Sequence, residues 1–223
     1  MDEVALELDG YIRDRLNESR NWRGDARDDA VTRLLKERVQ GRSLTDEEIV
    51  SILRNWTVGE LSTISACIGV PAHYLALRPS LEEQLREHSE QLPVAIDEIL
   101  RIHPPLISSR RVTTGPVELG GCPLAAGERI TIIWASANRD EAIFGNPDEF
   151  RVDRDPSLNL LYGAGIHNCP GAPLARLELR IVMEELLGRT RTFGLSEQKP
   201  AKAAHPASGF TSLPLSIIWR SPS

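Results

Sequence analysis

Three observations predict a mainly α-helical chain with small β-hairpins. Apolar residues recur at helical spacing through most of the sequence up to Ile102, with short polar breaks between runs. β-Branched residues then replace that pattern on both sides of Gly120-Gly121. Beyond them, a long Asp-, Asn- and Pro-rich stretch passes through a glycine-spaced segment into one more amphipathic run. With 223 residues, 41% hydrophobic and 26% charged, the composition is that of a soluble globular chain of one or two domains, which sets aside disorder and coiled coil as overall classes.

Taken in order, Val4, Leu6, Leu8, Ile12 and Leu16 predict a first helix over 4–16, and NESRNWRGDARD is a polar break after it. Asp28 and Asp29 open a second helix of about three turns, with Val31, Leu34, Leu35 and Val39 on one face and Gly41 as its stop. Thr45 stands three residues before Glu48, a capping-box spacing that starts a long apolar helix running towards Leu77. Pro71 lies inside that run, so a kink near 67–69 is expected, without an end to the helix. Short helices follow over 81–88 and 92–102, the second stopped by Pro104 and Pro105. Residues 111–119 and 122–133 form a hairpin pattern, 138–159 an ordered meander, 173–187 a final helix, and 210–219 a terminal strand pair or hairpin. No internal repeat is present.

Several function classes fall away on composition. No apolar run approaches the roughly 18 to 20 residues of a membrane helix, and the opening MDEVALELDG is acidic, so a cytoplasmic chain is expected. Cys67, Cys122 and Cys169 are odd in number and contain no CxxC, which argues against a disulfide framework or a cysteine-based zinc site. An excess of 32 acidic over 26 basic residues argues against nucleic acid as a partner, since phosphate neutralisation needs a basic surface. Small-molecule chemistry or protein contact remains.

The stretch richest in chemistry is Tyr162-Gly-Ala-Gly-Ile-His-Asn-Cys-Pro-Gly171. Glycines let backbone approach a planar group closely, and a cysteine just before a helix has N–H dipoles aimed at its sulfur, which suits a soft axial metal ligand. A lone cysteine in such a place also reads as an ordinary turn residue; the glycines and histidine at these offsets favour the ligand. The stretch resembles the haem-binding loop of the haem-thiolate monooxygenases, the cytochrome P-450 family, whose pattern is aromatic-Gly-x-Gly-x-His/Arg-x-Cys-x-Gly. That resemblance implies Cys169 as the proximal ligand of haem b iron, His167 as a propionate contact, and Gly163, Gly165 and Gly171 as the residues that permit the tight bulge.

Further matches accompany it. Glu98 and Arg101 sit at i and i+3 on one helical face, a spacing that elsewhere gives only an exposed ion pair. In this register they resemble the family's Glu-x-x-Arg, implied to tie down the meander and so to be structural. The family often adds an arginine before the meander phenylalanine; here Glu149 precedes Phe150, and Arg151 or Arg154 is the candidate substitute. Arg111 resembles the family arginine that pairs with a propionate, with Arg110 one residue away as the alternative count. Thr63 falls where the family keeps its oxygen-pocket alcohol, although a helix-interior threonine commonly bonds only to a carbonyl one turn back. Ser62 stands where the family has an acid, and Glu60, at i−3 from Thr63, is the candidate that completes a proton-delivery pair.

The family's catalytic domain is about twice as long, and this sequence begins near the helices that precede the long central one. The resemblance therefore implies the C-terminal half of the fold in a single truncated domain. It runs as helices over 1–105, a β-hairpin region over 106–135, meander and Cys loop over 136–171, a helix over 172–190 and a C-terminal β region over 191–223. The implied function is a monooxygenase that uses O2 and electrons from a ferredoxin- or flavodoxin-type donor to hydroxylate a small apolar substrate. The alternative is a truncated or degenerate member that binds haem or a partner protein without turnover.

Overall fold

The computed structural model describes residues 2–25 and 27–221. The chain divides into two compact units, residues 1–62 and 63–223.

In the first unit, α1 (Asp2–Asn21) buries Ile12 and Leu16 against Ile49 and Val50, with Leu8, Val31, Leu34, Leu35, Leu44 and Leu53 around them. α1 outruns the expected 4–16 by more than a turn. The polar residues beyond Leu16 find partners, Arg15 on Glu18 at 2.6 Å and Arg20 on Asp46, and the chain leaves the helix only at Trp22, whose indole donates to the Asp25 carbonyl at 2.8 Å. α2 (Ala30–Lys36) is capped by the Asp29 carboxylate, which accepts from the Thr32 amide at 2.7 Å. It is about two turns long rather than three. Val39 and Gly41 belong instead to a hairpin of β1 (Arg38–Val39) and β2 (Arg42–Ser43), whose two-residue turn holds Gln40 at φ +52° and Gly41 at φ +81°. Positive φ at both turn residues is what a tight hairpin requires, so the glycine that read as a helix stop is a strand connector.

α3 (Asp46–Ala76) begins with the capping box: Thr45 N–H donates to Glu48 Oε2 at 2.8 Å and Glu48 N–H to Thr45 Oγ1 at 3.3 Å. Arg42 adds two bonds to the same carboxylate, at 2.6 and 2.8 Å. α3 continues through Pro71 to Ala76 without ending.

In the second unit, α4 (Pro79–Glu87), a 3-10 turn (Ser89–Gln91) and α5 (Leu92–Ile102) follow. β3 (Ser108–Val112), β4 (Val117–Leu119), β5 (Cys122–Leu124) and β6 (Arg129–Ile133) make two antiparallel pairs, β3 with β6 and β4 with β5, the second closed by Gly120-Gly121. The single expected hairpin is thus two nested ones. α6 (Trp134–Ala137) and α7 (Glu141–Phe144) are single turns within or beside an otherwise irregular meander. α8 (Ala172–Arg189) is the final helix. β7 (Thr190–Leu195) pairs with β10 (Leu215–Trp219), and β8 (Ala201–Lys202) with β9 (Phe210–Ser212). The expected hairpin within 210–219 is therefore corrected: its two strands pair with earlier partners, and Leu213-Pro214 between them carries the chain from one pair to the other.

The core of this unit joins Cys67, Val70, Tyr74 and Leu75 of α3 to Ile96, Ile99 and Leu100 of α5 and to Leu179, Met183 and Leu187 of α8. Arg86 of α4 closes the C-terminal end of α8 by donating to the carbonyls of Leu187 and Thr190 and pairing with buried Glu82. Among the described residues, no helix is long and apolar enough to cross a membrane.

Candidate functional site

Residues 162–171 form a loop that turns back on itself before α8. Cys169 N–H donates to the Tyr162 carbonyl at 2.8 Å and Asn168 N–H to the Gly165 carbonyl at 3.1 Å, with a 3-10 turn over Gly165–His167. Gly163 (φ +77°) and Gly165 (φ +62°) are both left-handed, and a Cβ on Gly163 would stand 3.0 Å from the His167 carbonyl oxygen. Both positions need glycine for that reason. Cys169 carries an exposed, free thiol two residues before Gly171, the N-cap of α8, and a Cβ on Gly171 would sit 3.8 Å from its sulfur. Ile166 is 96% exposed and His167 is exposed beside it, so the loop presents an apolar side chain, an imidazole and a thiol together.

α5 braces this loop on its hidden side. The Tyr162 hydroxyl donates to Asp97 Oδ1 at 3.4 Å, Arg176 Nε donates to Asp97 Oδ2 at 2.9 Å, and the Arg176 guanidinium lies 4.4 Å from the Tyr162 ring centre. Burial raises the Asp97 pKa, with Arg176 opposing the shift, and burial likewise raises the Tyr162 phenol, helped by the Asp97 charge. Beneath them, the Cys67 thiol is pushed up to about 12 by burial, then by the charges of Asp97 and Cys169, and stays a neutral core residue. Asn138, fully buried, accepts the Leu160 amide on Oδ1 at 2.8 Å. Neither Asp97 nor Asn138 stood out in the sequence. Asp97 is one residue from Glu98 and on another face of α5, and no local pattern says that Tyr162 lies opposite it.

Glu98 and Arg101 are buried together. Arg101 Nε and Nη2 donate to the Glu98 carboxylate at 2.7 and 2.9 Å, and its remaining donors reach the carbonyls of Asn138 at 2.6 Å and Pro147 at 2.7 Å. Of the two candidate third members, Arg154 brings its side chain to Glu98 Oε1 at 3.0 Å and to the carbonyls of Phe144, Asn146 and Glu149. Arg151 gives Glu98 only its backbone N–H, at 3.2 Å, and spends its guanidinium on exposed Asp153. One buried carboxylate thus gathers both ends of the meander.

Arg111 is half-buried on β3, opposite Ile130, and Arg110 is exposed on the other face. Among the described residues, Arg111 has no carboxylate partner; its Nη1 donates to the Arg110 carbonyl at 2.8 Å and to Ser109 Oγ at 3.4 Å. Glu60 and Thr63 are both on α3, three residues apart, with Glu60 half-buried in the unit of residues 1–62 and Thr63 exposed in that of 63–223.

The donor chemistry at Cys169 is that of one soft ligand. Among the described residues, no three His, Cys, Asp or Glu side chains gather to hold a metal ion. An iron centre held here must bring its other ligands with it, as a porphyrin does, and an exposed thiol at a helix N-terminus flanked by glycine leaves room for a flat group. The residues present fit haem.

The fold and the loop that ends in Cys169 resemble those of a known family, and the comparisons show which one. The family description "Cytochrome P-450" matches residues 1–220, and the chain belongs to that family. Cyclomarin C epoxidase of Salinispora arenicola is 35% identical over 187 residues, 84% of this chain and 47% of the relative. A steroid C26-monooxygenase of Mycolicibacterium smegmatis is 34% identical over 195 residues, 86% of this chain and 49% of the relative. A crystal structure of a Bacillus megaterium member in complex with testosterone superposes with a TM-score of 0.88 at 32% identity, over 97% of this chain and 59% of that one. The chain spans about half the length of these curated relatives.

Proposed function

We propose that the chain provides the thiolate half of a haem b monooxygenase that acts in the cytoplasm on a small apolar substrate, with electrons from a ferredoxin- or flavodoxin-type donor. The observation that carries this reading is the exposed Cys169 thiol, held at the head of α8 by a glycine-shaped loop that α5 braces. Bound there, haem supplies oxygen activation, and thiolate ligation favours O–O cleavage.

The chain's own residues do the rest. Cys169 binds iron, while Gly163 and Gly165 supply the left-handed turns of the loop and Gly171 leaves no side chain beside the sulfur. Arg111 and His167 hold the propionates, Arg111 through a guanidinium fork that matches a carboxylate. Thr63 holds a proton at its hydroxyl and Glu60 resupplies it across one turn of α3. Glu98, Arg101 and Arg154 touch no reactant; they fix the meander so that the loop keeps its geometry.

The test supplies the protein with haem, a ferredoxin and its reductase, and follows product and peroxide together. Thr63→Ala and Glu60→Gln are expected to lower the share of consumed oxygen that appears in product and raise peroxide. A Thr63→Ala variant with unchanged yield and no extra peroxide removes the proton-delivery role. A second reading, haem or partner binding without turnover, is favoured by the exposure of Ile166 and of the thiol, because water weakens a preorganised dry site. Haem uptake without product under the same conditions selects it.

A further inference from the structure

Arg111 shares its face of the β3–β6 ribbon with Ser109, two residues earlier, and Trp134 follows directly where β6 ends. The indole Nε1–H of Trp134 donates to Ser109 Oγ at 3.0 Å, and Arg111 Nη1–H donates to the same oxygen at 3.4 Å. A serine hydroxyl has two acceptor positions and one proton. Both acceptor positions are filled by N–H donors, so the proton must point away from them, and it meets no acceptor among the described residues. Arg111 Nη1 is likewise occupied, by Ser109 and the Arg110 carbonyl, which leaves Nε and Nη2 for an incoming anion. Ser109 and Arg111, both half-buried, therefore present an O–H and several N–H donors that meet no carboxylate among the described residues.

We propose that Ser109 is a second donor to the carboxylate that Arg111 binds. In this arrangement one haem propionate accepts from Arg111 N–H and Ser109 O–H together, and Trp134 fixes the serine oxygen so that its proton is already aimed at the anion. Ser109 is then a cofactor-binding residue and Trp134 a positioning residue. The proposal rests on the haem reading of the Cys169 loop. A carboxylate is the fitting ligand because a planar two-oxygen anion takes a guanidinium edge and a neighbouring hydroxyl at once. A strut that only stiffened the ribbon would direct the Ser109 proton to a protein carbonyl, as Thr113 does with the Ala125 carbonyl at 2.5 Å.

The experiment titrates the protein with haemin and with haemin dimethyl ester, whose carboxylates are masked, and reads the Soret band for both. Wild type is expected to prefer haemin. Ser109→Ala should narrow that preference by about tenfold, the size of one hydrogen bond to a charged group at the low end. Trp134→Phe should narrow it by less, and Ser109→Thr should restore it. In an Arg111→Ala background the effect of Ser109→Ala should differ from its effect in wild type, since the two donors act on one group. Circular dichroism confirms that each variant is folded. A Cys169-dependent Soret band with an unchanged ester preference in Ser109→Ala overturns the Ser109 proposal alone. A folded wild-type protein with no Cys169-dependent band overturns the haem reading and this proposal with it.

Discussion

Glu98 is the residue on which the site's framework converges. It is 5% exposed and accepts from Arg101, from Arg154 and from the Arg151 backbone. Removing one partner of a buried charge costs more than the pair contributes, because the remaining charge keeps its desolvation penalty. Arg154→Ala is therefore expected to destabilise the protein by about 2 to 4 kcal/mol in urea denaturation. Arg151→Ala, which breaks an exposed pair with Asp153, should leave the urea midpoint nearly unchanged. Equal losses for the two would contradict the assignment. The Glu98 and Arg101 pairing was legible in the sequence because i,i+3 spacing survives any context in which 92–102 is a helix. The choice between Arg151 and Arg154 was not. Both lie in aperiodic chain, where no repeat says which side chain turns inward.

Among the elements, α3 and the Cys loop depend on local chemistry that can be titrated or filled. The Arg42 side chain and then the Thr45 amide hold the Glu48 carboxyl down at about 2, against an ordinary value of 4.5. A depressed folded-state pKa gives stability that is present above the ordinary value and lost as pH falls through the folded one. The stability difference between wild type and Glu48→Gln should therefore be full at pH 6 and disappear between about pH 4.5 and 2, measured by thermal melts across that range. In the loop, Gly163→Ala imposes a Cβ at positive φ and 3.0 Å from the His167 carbonyl. It should cost roughly 1 to 3 kcal/mol and loosen haem retention, followed as haem transfer to an apo-globin acceptor. The capping box and the loop glycines could be read from sequence because each is a local pattern. The pairing of β7 with β10 and of β8 with β9 could not, since strand order is decided by packing across the unit and not by the turn between neighbours. Gly41 misled for a related reason: glycine serves a helix end and a hairpin turn equally well, and only Gln40 at φ +52° distinguishes them.

For the whole molecule, the resemblance carried by Tyr162–Gly171 and Glu98–Arg101 identified the family from sequence, and the match over residues 1–220 shows it. What composition could not show is how much apolar surface the chain leaves bare. Val4, Leu6 and Tyr11 of α1 are 70%, 72% and 61% exposed, and Leu61 of α3 is 69% exposed. Exposed apolar side chains in such number favour association. Light scattering of the purified protein should show mass rising with concentration, and Leu6→Glu should reduce the rise; a strictly concentration-independent monomer mass contradicts this. The central claim is that the Cys169 loop builds a thiolate-ligated haem site, and the carbon-monoxide difference spectrum of the reduced, haem-loaded protein tests it most directly. A thiolate-type Soret band present in wild type and lost in Cys169→Ala is the predicted result. A folded wild-type protein without that band, or a band that persists in Cys169→Ala, would contradict the account.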